Sequence, residues 1–170
     1  VNDNDQPVHS GHPNPEEFRE WVGKFLLGGH TVKENSDLTD ENVEALYALA
    51  HGEYNGGRFE QAQRLFGLLC TIDHMQKKYW MGLGASCQMN KSYRGAVEAY
   101  AIAGVFAFDD PDPRMYAADC YLQMGDRRAA ADGFRYVVRC TVDRPEYAEV
   151  RQQAEARLAM LSSRSAETTT

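Results

Sequence analysis

Much that would give this chain a chemistry of its own is missing from it. No run approaches the ~18 consecutive apolar residues of a membrane span, and no charged-then-apolar signal opens the sequence. Both absences predict a cytoplasmic protein with no membrane partner. Positive charge is scarce: 18 lysines and arginines stand against 25 acids, a net charge of -7. Such a surface favours solubility and carries no basic field to draw in phosphate backbones, so direct nucleic-acid binding is not expected. The four cysteines, Cys70, Cys87, Cys120 and Cys140, form no C-x-x-C pair and all fall within helical patterns. They read as small buried residues in a reducing compartment rather than as metal ligands or disulfides. His9 and His12 lack a third ligand, and two histidines on a polar tail make no metal site. There is no G-x-S-x-G, no phosphate-cradling glycine loop and no H-E-x-x-H. His51 and Asp119 are placed to share a groove, but neither has an identifiable nucleophile or orienting partner. Neither an enzyme nor a cofactor is expected.

What is present is a repeat. Ala96 lies 34 residues from both Ala62 and Ala130, Tyr100 from Phe66 and Phe134, and Gly84 from Ala50 and Ala118. A gap-free period of 34 with a small residue and an aromatic at fixed places is the signature of tetratricopeptide repeats, each a helix, a turn and a second antiparallel helix. The expected repeats are 43–76, 77–110 and 111–144. Within the central one, Trp80, Leu83, Gly84 and Cys87 share one face of the first helix, and Ala96, Ala99, Tyr100 and Ala103 one face of the second. Turns are expected at Gly56-Gly57, at 90–92 and at Gly125-Asp126, where the left-handed backbone of a helix end is needed. The fold class is all-α: three tandem repeats in a short right-handed solenoid, with a helix at either end. At 170 residues this is one domain.

Residues 1–14 carry almost no apolar side chain and are expected to be a disordered tail. The sequence opens on Val1 rather than Met, so its numbering is expected to begin inside a longer natural chain. Asn14 and Pro15, followed by Glu16 and Glu17, start a helix over 15–29 whose stripe of Phe18, Trp21, Val22, Phe25 and Leu26 ends at Gly28-Gly29. So aromatic a stripe needs cover, and Phe18, Trp21, Val22 and Phe25 are the expected surface of a homodimer. After a polar stretch, Thr39 caps the entry to the repeats, which span 39–144 with their lead-in, and Leu38 is placed to staple onto Val43. Pro145 opens a capping helix over 145–161, with Tyr147, Val150, Ala154, Leu158 and Leu161 at helical spacing, and 162–170 is a second polar tail.

Side chains left over by the core register face the inner surface of the array. Repeat one offers Tyr47, His51, Tyr54 and Asn55, repeat two Met81, Ala85, Gln88 and Met89, and repeat three Met115, Asp119, Leu122 and Gln123. Rigid tyrosines and adaptable methionines suit an extended peptide with apolar anchors. Repeat proteins that clamp a terminal carboxylate need lysine and asparagine on these helices, whereas the first repeat holds Tyr47 and His51. A general repeat adaptor is thus the weaker alternative, and a passive scaffold leaves the aromatic groove unexplained.

The chain also resembles a known family, the class II chaperones of bacterial type III secretion (SycD/LcrH/IpgC/SicA). Phe25-Leu26-Leu27-Gly28-Gly29-His30-Thr31 is similar to its F-L-x-x-G-G-T segment, and Leu38-Thr39-Asp40 with Leu46-Tyr47-Ala48-Leu49-Ala50 to its first-repeat entry. Leu68 to His74 resembles its L-C-x-L-D-H stretch and Met81-Gly82-Leu83-Gly84-Ala85 its L-G-L-G-A stretch, so the likeness spans residues 18–139. The resemblance implies a non-enzymatic cytoplasmic chaperone that keeps type III secretion translocator proteins soluble and apart before export. It also implies a groove that accepts a segment like Pro/Val-x-Leu-x-x-Pro and places family groove tyrosines at Tyr47 and Tyr54. Some members also act as co-activators with an AraC-like transcription regulator. Arg114 and Arg127 depart from the family pattern, standing where bulky apolar residues are common.

Overall fold

The computed structural model describes residues 31, 33–35, 38–107 and 109–167. The expected tail 1–14, with His9 and His12, the expected helix 15–29 with its aromatic stripe, and residues 168–170 lie outside the described residues. After a short 3-10 turn at Lys33–Asn35, seven α-helices follow: α1 Asp40–Asn55, α2 Phe59–Ile72, α3 Lys77–Met89, α4 Tyr93–Phe106, α5 Asp112–Gln123, α6 Arg127–Cys140 and α7 Ala148–Glu167. No strand occurs among the described residues. Each helix packs on the next, and α1 also meets α3 while α5 meets α7. This is the pairing of a stacked helical array.

Local chemistry sets the ends. Thr39 caps α1: its hydroxyl accepts from the Asn42 N–H at 3.2 Å, while Asn42 Oδ1 accepts from the Thr39 N–H at 3.3 Å. Asp126 caps α6 by accepting from the Ala129 N–H at 2.9 Å. Such caps satisfy backbone donors that the first helical turn leaves free. The turn between the two helices of each repeat has one left-handed residue, and the 34-residue period places these at Gly57 (φ 75°), Lys91 (φ 60°) and Gly125 (φ 81°). Lys91 alone does this with a side chain.

The core follows the repeat register. Ala62, Ala96 and Ala130 are completely buried, as are Phe66, Tyr100 and Phe134 to within 2%. Small residues on the first helices leave room for those rings. A Cβ on Gly84 would stand 2.6 Å from the Tyr100 ring, closer than carbon atoms approach. One assignment changes: Trp80 is only half-buried and donates its ring N–H to the His74 carbonyl at 2.8 Å, while Tyr79 takes the interior place beside Tyr47. An indole needs a partner for its N–H, and the loop before α3 supplies one at the array's edge.

Lys77 pairs with Asp110, joining the two ends of the second repeat, and Lys78 pairs with Glu44 of the first repeat at 3.0 Å. At the far end, Pro145–Tyr147 forms a 3-10 turn and α7 closes the array, burying Ala154 and Leu161 against Phe134 and Val137. Arg151 donates to the Thr141 and Val142 carbonyls at 2.9 and 2.7 Å, satisfying acceptors that α6 leaves open at its end. Arg127, the first departure from the family pattern, donates to the Leu161 carbonyl at 2.8 Å and so ties α6 to α7. The closing helix extends to Glu167, so 162–167 are helical rather than part of the expected tail.

Candidate functional site

The inner face of α1, α3 and α5 holds a groove of about 580 Å³. Its wall begins with Tyr47, His51 and Tyr54 on α1, continues through Met81, Ala85, Gln88 and Met89 on α3, and ends at Tyr116 and Asp119 on α5. The spacing explains the set. Positions 47, 81 and 115, then 51, 85 and 119, then 54, 88 and 122 are 34 residues apart, so one helix face recurs in each repeat.

The third repeat breaks the pattern at two residues. Met115, expected in the groove, is 4% exposed and packs with Phe134, Ala154 and Leu161; Leu122, also expected there, packs against the same cluster. The physical reason is α7, which covers this side of α5 and pulls both apolar chains into the interior. Asn55 and Gln123, at helix ends, do not line the groove either. In place of Met115 the wall presents its neighbour Tyr116, stacked on Tyr100 with ring centroids 5.5 Å apart. The sequence reading also missed Phe66, Tyr100, Gly82, Lys77 and Lys78 as lining residues. The core register accounts for Phe66 and Tyr100, yet each ring forms both core and groove lining. Gly82 is small because the Phe66 ring lies against it: an added Cβ would sit 2.3 Å from that ring.

The wall is pre-organised. His51 Nε2 lies 3.0 Å from the Tyr47 hydroxyl, with their rings edge-on at 4.8 Å, and both rings meet Phe66 edgewise. Lys78 holds its ammonium 4.2 Å over the Tyr47 ring while paired with Glu44. Tyr54 rests edge-on to Phe59 at 5.4 Å. Tyr100 donates its hydroxyl to Gln88 Oε1 at 2.9 Å, which is why a tyrosine can stand where the flanking repeats have phenylalanine. Among the described residues every charge lining the groove has an opposite partner: Lys77 with Asp110, Lys78 with Glu44, and Asp119 with Arg157 of α7 at 2.6 Å. Burial pushes the Asp119 carboxyl above the usual carboxylate range, and Arg157 pulls the other way. Aromatic faces, two thioethers, neutral hydrogen-bonding groups and balanced charge make a surface on which an extended apolar chain can lie.

A second cleft, of about 550 Å³, lies between α4, α5 and α6, floored by small residues such as Ala101, Gly104 and Gly133. Arg114, the other departure from the family pattern, stacks there 4.8 Å from the centre of the Tyr136 ring. Among the described residues there is no group of three or more side chains able to hold a metal, and no helix is long and apolar enough to cross a membrane.

Fold and groove together define a tetratricopeptide repeat protein, and the profile of that repeat matches residues 43–75 and 78–110. The chain is 31% identical to the chaperone protein SicA of Salmonella typhimurium over 128 residues, which is 75% of this chain and 78% of SicA. It is 29% identical to the low calcium response locus protein H of Yersinia pseudotuberculosis over 143 residues, 84% of this chain and 85% of that protein. Among solved structures, PcrH of Pseudomonas aeruginosa in complex with the chaperone binding region of PopD superposes with a TM-score of 0.71 at 31% identity, covering 76% of this chain and 97% of PcrH. SycD of Yersinia enterocolitica in complex with a peptide of the translocator YopD gives 0.70 at 28% identity, covering 76% and 99%. The chain belongs to the family of class II type III secretion translocator chaperones.

Proposed function

We propose that this protein binds an extended segment of a type III secretion translocator in the groove of α1, α3 and α5 and keeps that client soluble before export. The observation that carries the reading is the groove itself, aromatic and methionine-lined, continuous across three repeats and charge-balanced. In support, PcrH and SycD are each seen with a translocator segment. Tyr47, His51, Tyr54, Met81, Ala85, Gln88 and Asp119 form the client wall in this reading, joined by Lys78, Tyr100 and Tyr116. The protein acts without catalysis, in the bacterial cytoplasm, and pairs with a second copy through the stripe of Phe18, Trp21, Val22 and Phe25.

Peptides copying the PopD and YopD segments bound by the relatives test the client site. Tyr47→Ala and Tyr54→Ala each remove part of a wall against which an aliphatic anchor buries. Burying such a side chain is worth roughly 1.5 to 3 kcal/mol, so the double mutant is expected to bind at least about tenfold more weakly. Both tyrosines also pack against the first core cluster, so melting temperatures are measured beside affinities. A folded double mutant with wild-type affinity for both peptides would place the client elsewhere.

A further inference from the structure

The charge at the end of the groove is set from outside the repeats. Asp119 projects from α5, lines the groove and has a side chain only 20% exposed. Its Oδ1 accepts from Arg157 Nε at 2.6 Å, across 38 residues of sequence. Arg157 belongs to α7, does not line the groove, and is steadied by the Gln153 carbonyl at 3.4 Å and by the Phe134 ring, 5.9 Å from its guanidinium carbon. Among the described residues Oδ2 of Asp119 accepts no protein hydrogen bond, and no buried side-chain oxygen is left without a partner, so Oδ2 is accessible, on a side chain that lines the groove. A carboxylate in so apolar a wall must be paired to stay ionised when a ligand covers it. An extended peptide brings main-chain N–H groups that need acceptors once water is displaced.

We infer that Arg157 is a positioning residue for client binding: it holds the Asp119 carboxylate in place at the end of the groove so that Oδ2 accepts a hydrogen bond from a main-chain N–H of the client. This rests on the groove being the client site. The closing helix is then part of the binding machinery as well as a cap on the core. It also accounts for an acid on this wall, which a purely apolar client would disfavour.

The test is a double-mutant cycle on affinity for the PopD and YopD peptides, using the full chain. Arg157→Ala leaves a part-buried carboxylate without its counter-charge, and binding is expected to weaken by about tenfold. Asp119→Asn removes that charge but keeps a carbonyl acceptor. The Asp119→Asn/Arg157→Ala double mutant is therefore expected to bind several-fold better than Arg157→Ala alone. Loosening of α7 alone gives no such rescue, because Asp119→Asn does nothing for the packing of that helix. Wild-type affinity in Arg157→Ala, or a double mutant as weak as Arg157→Ala, overturns the inference. If Tyr47→Ala/Tyr54→Ala weakens binding while Arg157→Ala does not, this inference alone fails. If the folded tyrosine mutant keeps wild-type affinity, the groove reading fails and this inference with it.

Discussion

At the scale of single residues, the period makes deviations conspicuous. Lys91 occupies the turn position that glycine fills in the flanking repeats, with φ at 60° against 75° and 81°. A side chain in the left-handed region costs about 1 kcal/mol relative to glycine, partly offset by the freedom glycine gains on unfolding. Lys91→Gly is therefore expected to stabilise the protein by about 0.5 kcal/mol, read as a raised denaturation midpoint. The cysteines give a second expectation. Burial pushes the Cys70 thiol up to about 12 and Cys120 up to about 11, and raises Cys87 and Cys140 by the same cause. A raised pKa keeps the unreactive thiol form at every pH below it. At pH 8 the folded protein should resist alkylation at Cys70, Cys87 and Cys120, and half-buried Cys140 should label first in a mass-spectrometric time course. Fast labelling of Cys70 at that pH would show that the first repeat opens locally.

At the scale of helices, the pairing of small and aromatic residues was legible because it depends only on neighbours a fixed distance along the chain. Ala62 with Phe66, Ala96 with Tyr100 and Ala130 with Phe134 needed nothing but the 34-residue period. Much of the groove wall was legible for the same reason, since it is the complementary face of α1 and α3. Where the reading failed, a partner from outside the repeats intervenes. Met115 and Leu122 turn inward because α7 covers them, and Asp119 gains Arg157 from that helix. Lys77 and Lys78 carry no signal in the repeat register, and it is the fold that brings Asp110 and Glu44 alongside them. If the stripe of Phe18, Trp21, Val22 and Phe25 is the self-association surface proposed above, Trp21→Glu puts a charge into it and should convert a dimer to monomer by light scattering. An unchanged mass in a folded, dimeric variant would move the self-association surface off this stripe.

At the scale of the whole molecule, the net charge of -7 and the local balance of the groove act on different properties. An acidic exterior disfavours non-specific association. Among the described residues the groove contributes no unpaired charge, since Lys77, Lys78 and Asp119 already hold Asp110, Glu44 and Arg157. Screening acts on charges separated by more than about 10 Å at 0.1 M salt, and weakly on close, part-buried pairs. If the client is held by apolar anchors against Tyr47, Tyr54, Tyr100 and Tyr116, its affinity should change by less than about twofold between about 50 mM and about 500 mM sodium chloride. Any long-range effect of the acidic surface would appear in the association rate rather than in the dissociation rate. Surface plasmon resonance with a translocator peptide that carries acidic side chains separates the two. A tenfold fall in affinity with salt, carried by faster dissociation, would mean that Lys77 or Lys78 leaves its carboxylate to grip the client directly, and that the groove recognises charge as well as shape.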